Sequence, residues 1–306
     1  MTAPQRSQGS NRKALLFCVL TFAASWLIAG IYYALGGRLD NPTSVIVLTV
    51  YMFMPMTMAI VVQKGIHREP LRKPLGISFR PNRWFLVAWL LPIAAALATI
   101  VASLLVPGVE YSPDMAGVFE RFGASLTPEQ LAEMESQIAA TPIHPLWIGV
   151  IQGLVAGITI NAVVAFGEEL GWRGLLQQEL SHLGFWRSSA LIGIIWGVWH
   201  APVIIQGWNY PQHPLPGVFM MVVWTLLLAP IFGYVTIKAR SVIAAAIIHG
   251  TLNATAGLPL LVIVGGNDLT VGITGLAGFL VLAVVNLIIF AYERFLAREP
   301  LSTAPA

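Results

Sequence analysis

Charge is what this chain has least of. Asp, Glu, Lys and Arg supply 10% of its 306 residues, where a soluble domain carries about 25%. With 57% hydrophobic residues and a mean hydropathy of +0.75, that shortage excludes an ordinary soluble enzyme and points to an integral membrane protein. Cysteine is nearly missing too. The single Cys18 excludes an intrachain disulfide, and its place in an apolar stretch gives it a lipid- or helix-facing role. No internal repeat is evident, which argues against a transporter built from paired halves with broken helices. The sequence pI of 9.2 would suggest a nucleic-acid partner in a soluble chain. Here it reflects cationic loops that orient a membrane protein, so no nucleic acid is expected.

What is present is long apolar runs. They predict an all-α polytopic bundle of about eight spans, at 14–35, 43–63, 84–106, 146–167, 188–206, 217–237, 241–263 and 271–292. The first is too long for a signal-peptide core of about 7–15 residues and meets the roughly 20 that a span needs. It reads as a retained span after a polar tail, 1–13. The basic residues test the count. With the N-terminus inside, 15 of the 17 Lys and Arg residues fall in cytoplasmic segments, and Arg38 and Arg121 fall outside, as the positive-inside rule requires. Both termini are expected to be cytoplasmic. The chain then divides into the tail, one transmembrane domain over 14–293, and a C-terminal tail, 294–306.

The longest loop, 107–145, is acidic and expected outside. In Leu126-Thr127-Pro128-Glu129-Gln130-Leu131, Thr127 can cap a helix, Pro128 suits its first turn, Gln130 completes a capping box, and Leu126 with Leu131 forms a hydrophobic staple. A short amphipathic helix with Leu131, Met134 and Ile138 on one face is predicted. In the fourth span Gly149, Gly153 and Gly157 allow close helix approach. If that span is one straight helix, Gly157, Asn161 and Glu168 share a face.

Ionisable groups at membrane depth are costly, about 2.5–3.5 kcal/mol even on the lower estimates, so those kept there need a use. Three motifs contain them. In Glu168-Glu169-Leu170-Gly171-Trp172-Arg173, Glu169 and Arg173 are spaced to pair on a helix, which leaves Glu168 as the freer carboxylate. In Trp196-Gly197-Val198-Trp199-His200, Trp196 lies one turn before His200 and can wall its ring. In His249-Gly250-Thr251-Leu252-Asn253, His249 and Asn253 share a face. All three fall in the half nearer the expected cytoplasmic side, although Glu168 reads as closer to the interface than the histidines. Glu168, His200 and His249 can hold a divalent metal such as zinc with one open position. Without metal, Glu168 or His200 can act as base toward water while His249 and Asn253 donate to an oxyanion. Either suits amide hydrolysis. The same polar residues can also serve as glue between helices in a non-enzymatic chaperone or an immunity protein that binds a partner.

The order EExxxR, aromatic-xxx-His, HxxxN resembles the CPBP family of intramembrane proteases. That family includes CAAX prenyl endopeptidases of the Rce1 type and bacteriocin-processing or self-immunity proteins. The motifs place the family-like catalytic core at about 146–263. The resemblance implies a membrane-embedded peptidase, of metalloprotease or glutamate type, in which Glu168 and His200 activate the attacking water. His249 and Asn253 would stabilise the oxyanion or complete a metal site, with Glu169 and Arg173 in support. It also implies a peptide or protein substrate at the membrane, membrane-anchored or lipidated among the family's options. The location expected from it is the plasma membrane of a bacterium. Trp196 stands where the family more often has Phe, which keeps the aromatic wall and alters its shape.

Overall fold

The computed structural model describes residues 3–39, 41–123, 127–297 and 301. In chain order it has α1 (Ala3–Ala34), α2 (Ser44–Ile60) continued by a π-helical turn at Val61–Ile66, α3 (Arg83–Ser103), β1 (Glu110–Tyr111), α4 (Ala116–Phe122), α5 (Pro128–Ala140), α6 (Pro145–Ile158) and α7 (Ile160–Glu169). A π-helical stretch, Leu170–Leu176, joins α7 to the short turn α8 (Gln177–Glu179). Then come a 3-10 turn at Ser181–Leu183, α9 (Phe185–Trp199), α10 (Ala201–Ile205), α11 (Pro214–Ala239), α12 (Val242–Thr255), α13 (Leu258–Leu261), β2 (Ile263–Val264) and α14 (Leu276–Phe295). The two strands form one antiparallel pair, Glu110 opposite Val264 and Tyr111 opposite Ile263.

The protein is an all-α multi-pass membrane bundle. Among the described residues six helices are long and apolar enough to cross a membrane, and α6 with α7 makes up to seven when the bent pair counts as one span. The fifth expected stretch, 188–206, divides at His200. Pro202 has no N–H to return to the preceding turn, so the chain tightens there, with His200 N bonding Gly197 O at 3.1 Å and Val203 N bonding His200 O at 3.1 Å. α1 starts at Ala3, inside the segment read as a polar tail.

The span expected to run straight over 146–167 also differs. At Thr159 the backbone leaves helical geometry (φ −117, ψ −107), and α6 and α7 meet at 51°. The single face drawn through Gly157, Asn161 and Glu168 is therefore broken. Asn161 lines an outer groove with Gly149 and Gly153, whereas Glu168 points into the bundle. The helical path then continues to Glu179. That places Glu168 eleven residues short of the segment's end, at the depth of the histidines rather than at the interface.

Within a membrane, lipid is as apolar as leucine, so helices associate by close packing. α11 and α12 are the centre, with 67% of each span buried, against 28% and 22% for α1 and α2. Two glycines permit the approaches that set the site. A Cβ at Gly250, next to His249, would lie 2.6 Å from Ala162 N on α7, and one at Gly171 would lie 2.7 Å from Pro55 Cβ on α2. Aromatic packing fills the rest: Trp172, Trp196 and Trp199 are almost wholly buried, and Trp172 meets Trp199 edge-on at 5.6 Å.

The bundle has two unlike ends. At one, buried Lys13 pairs with Glu69 at 2.6 Å and Glu179 at 3.0 Å, Asn82 donates to Ala239 O at 3.1 Å, and Lys238 pairs with Glu293 at 3.0 Å. Most of the loop arginines and lysines lie here. The other end carries α4, α5 and the strand pair. There Thr127 N donates to Gln130 Oε1 at 2.9 Å and Gln130 N to Thr127 Oγ1 at 3.3 Å, the expected capping box. Leu131, Met134 and Ile138 are the half-covered face of α5. Leu126, the other half of the expected staple, lies outside the described residues.

Candidate active site

Glu168, Trp196, His200, His249 and Asn253 line one cavity of about 210 Å³. They come from α7, the end of α9 and the middle of α12. The motifs far apart in sequence thus meet in space, and the role of each side chain follows from its neighbours.

Glu169 is the hub of the buried layer. Its Oε1 takes a hydrogen bond from Arg173 Nη1 at 3.1 Å and one from His249 Nδ1 at 2.8 Å. Both members of the Glu169–Arg173 pair have fully buried side chains. The expected pairing therefore holds, and it does so across a π-helical stretch. Two nitrogens of Arg173, Nε and Nη2, have no hydrogen-bond partner among the described residues. Its guanidinium is instead stacked 4.4 Å from the Trp196 ring centre and 4.9 Å from that of Phe232, a cation–π contact that gains strength when desolvated.

Glu168 is less free than its helix position suggested. Its Oε2 accepts from Trp196 Nε1 at 2.7 Å and from Trp172 Nε1 at 3.3 Å. Its Oε1 has no hydrogen-bond partner among the described residues and is left for the cavity. Trp196 is thus a donor as well as a wall, with the rings of His200 and His249 at 5.9 and 5.5 Å from its own. Trp172 was missed in the sequence, although it stands four residues after Glu168, within reach on a helix.

His200 sits where α9 ends. Its Nδ1 bonds Trp196 O at 2.8 Å. A carbonyl only accepts, so Nδ1 carries the proton and the Nε2 lone pair is free. The break after His200 also strips Trp199 O of its helical partner. Tyr51 Oη, at 2.5 Å, and Trp26 Nε1, at 3.1 Å, donate to that carbonyl from α2 and α1. Nothing in the three motifs signalled these supports. His249 directs Nδ1 to Glu169 and so turns Nε2 toward the cavity. Asn253, one turn further along α12, is exposed to the cavity and has no hydrogen-bond partner among the described residues.

Among the described residues no three His, Cys, Asp or Glu side chains stand in a grouping that could hold a metal ion. Glu168, His200 and His249 share the cavity without converging on one point, and the indole donors already occupy Glu168 Oε2. As placed, these residues do not fit a metal centre.

Behind Glu168 the π-helical stretch is packed tight, with Leu170, Trp172, Arg173, Leu175 and Leu176 all at most 2% exposed. The cavity is walled further by Leu48, Tyr51 and Met52 of α2, by Trp199, Val203 and Trp224, and by Trp208, Asn209, Ala256 and Thr274 toward the strand-pair end.

Residues 143–255 match the family model for type II CAAX prenyl endopeptidases, Rce1-like, a stretch containing all seven motif residues just described. No curated protein matches the chain. The family consists of proteases that act on peptide or protein substrates at membranes. Over residues 143–255 the chain carries the Rce1-like domain of the type II CAAX prenyl endopeptidases, in line with the CPBP family that its motifs resemble.

Proposed function

We propose that this protein is an intramembrane endopeptidase that hydrolyses a peptide bond with water activated by Glu168 and His200. The observation that carries the reading is the 2.8 Å contact of His200 Nδ1 with Trp196 O: the carbonyl can only accept, so Nδ1 keeps the proton and Nε2 is left as a base at the cavity that Glu168 also lines. A water held between Glu168 Oε1 and His200 Nε2 gives up a proton as its oxygen attacks the scissile carbonyl. Asn253 Nδ2 donates to the oxyanion that forms. His249 can donate from Nε2 as well once doubly protonated, and Glu169 is the counter-ion that form needs. As the tetrahedral intermediate collapses, the proton passes to the leaving amine and the C–N bond breaks. General-base help of this kind is worth roughly 10²–10⁴ in rate, and an oxyanion donor about 10²–10³.

No step in this scheme needs a metal. The test is cleavage of a peptide substrate by the purified protein, with metal analysis and a chelator alongside. Glu168→Gln and His200→Ala are expected to abolish turnover while the protein stays folded, and a metal-free preparation is expected to keep full activity. Normal turnover by both variants overturns the peptidase reading. Stoichiometric zinc with loss of activity on chelation overturns the metal-free mechanism.

The second reading is a non-enzymatic chaperone or immunity protein. It is favoured by the Glu169–Arg173–His249 network, which joins the π-helical stretch to α12 as interhelical glue would. On that reading Glu168→Gln and His200→Ala lower thermal stability and no turnover is seen with any substrate.

A further inference from the structure

We infer that the protein holds one anionic glycerophospholipid in a groove between α3, α11 and α14, with an acyl chain in the groove and the phosphate on Arg83. The groove shares no residue with the catalytic cavity, so the inference stands whether or not the protein cuts peptides.

The groove, of about 460 Å³, begins where three helix ends meet at the basic end of the bundle. Arg83 opens α3, Lys238 lies in the last turn of α11, and Glu293 in the last turn of α14. Trp84 and Tyr234 tie two of these ends together, their rings meeting edge-on at 5.3 Å. From Arg83 the groove runs inward along α3 as far as Leu91, about 12 Å at the helical rise. There it ends. Leu91, Ile231 and Val285 also line a second cavity of only about 20 Å³, too small to admit a chain, so beyond them the helices have closed up. The result is a blind slot, open at the membrane surface.

Polarity and charge decide the occupant. No carboxylate or carboxamide lines the slot, and its inner walls are aliphatic. Trp84, Tyr234 and Tyr292 stand near the mouth, the residue types that mark a membrane–water interface. Arg83 is exposed, and no carboxylate pairs with it among the described residues. The carboxylate of these three helix ends, Glu293, is already taken. Its Oε1 accepts from Tyr234 Oη at 2.7 Å and pairs with Lys238 at 3.0 Å, and its Oε2 accepts from Leu301 N at 2.7 Å. Lys238 and Glu293 cancel, so Arg83 is left as an uncompensated cation above an apolar slot. Basic pockets between membrane helices hold phospholipid headgroups for this reason, and the guanidinium fork matches two phosphate oxygens. A headgroup of net negative charge gains most, because the ammonium of a zwitterionic one meets the same cation.

The test is native mass spectrometry of the detergent-purified protein titrated with dioleoylphosphatidylglycerol or dioleoylphosphatidylcholine, with glycerol phosphate as the chainless control. One phosphatidylglycerol is expected to bind at a several-fold lower concentration than phosphatidylcholine, and glycerol phosphate not at all. Arg83→Gln should erase the difference between the two lipids, while Arg72→Gln, at the same end and outside the groove, should keep it. Ile288→Trp fills the groove from a position 62% exposed and should weaken both lipids. Leu280→Trp, on the same helix and outside the groove, should weaken neither. All four positions are exposed, so the variants are expected to keep the fold. Equal binding of the two lipids by the wild type, or equal effects of the two arginine variants, overturns the headgroup site. Binding of glycerol phosphate alone overturns the role of the chain. Equal effects of the two tryptophan variants mean annular lipid only and overturn the groove. A lipid-free dimer that Ile288→Trp splits gives the groove to a second copy of the chain and overturns the lipid.

Discussion

Arg173→Met gives the sharpest test of the buried layer. Arg173 and Glu169 have side chains with no solvent exposure, at 3.1 Å. Removing one partner of such a pair leaves an uncompensated charge and costs about 3–5 kcal/mol. Methionine fills most of the space between Trp196 and Phe232, so little of the loss is a packing defect. Glu169 keeps His249 at 2.8 Å, which puts the expectation near the lower bound, about 3 kcal/mol, or roughly two powers of ten in the folding equilibrium. The double variant Glu169→Gln/Arg173→Met removes both charges, and the glutamine carbonyl can still accept from His249 Nδ1. It should recover most of the loss, because replacing a whole buried pair is often neutral. The assay is SDS-induced unfolding of the detergent-purified protein followed by tryptophan fluorescence, run as a double-mutant cycle. Arg173→Met unfolding at the wild-type midpoint, or a double variant no more stable than the sum of the two singles, refutes the reasoning.

Two further outcomes follow from the packing around the histidines. Tyr51→Phe removes one of two donors to Trp199 O and should cost about 1 kcal/mol of stability. Because that carbonyl adjoins His200, kcat should fall with little change in KM, whereas a merely structural role would lower stability and leave kcat per folded molecule unchanged. Gly250→Ala places a methyl 2.6 Å from the α7 backbone and should destabilise by about 1–3 kcal/mol. Gly30→Ala, which meets nothing within 4 Å, should be neutral or slightly stabilising in the same unfolding assay, and equal effects at the two positions would contradict the packing described.

The sequence was most legible where the determinants were local. The Glu169–Arg173 pair and the Thr127–Gln130 capping box each need residues three or four apart, and the structure has both. The motifs also put His200 and His249 together, and the two line one cavity. Long-range determinants were not. The bend at Thr159 has no proline or glycine at the break to announce it, so a straight helix was drawn and Asn161 was given the wrong face. The depth of Glu168 was misjudged because the apolar run stops near it while the helical path does not: Trp172, Leu175 and Leu176 carry it onward around the buried Arg173. The division at His200 was readable from Pro202, yet the donors that stabilise it come from Tyr51 and Trp26, over a hundred residues away. Part of the cavity wall comes from loops that meet only in the folded chain.

The π-helical stretch between Glu169 and α8 has a consequence for phasing. A π turn holds about one residue more than the α turn it replaces, so the helix on either side of Leu170–Leu176 keeps its own angular register. Upstream, Glu168 and Glu169 are phased to the histidines. Downstream, Glu179 is phased to Lys13 on α1, 3.0 Å away. Deleting one residue from this stretch would turn one set about 100° out of phase with the other, whereas a substitution within it preserves both. The segment thus works as a joint between a chemical register and an anchoring register, and it is sensitive to length before it is sensitive to composition.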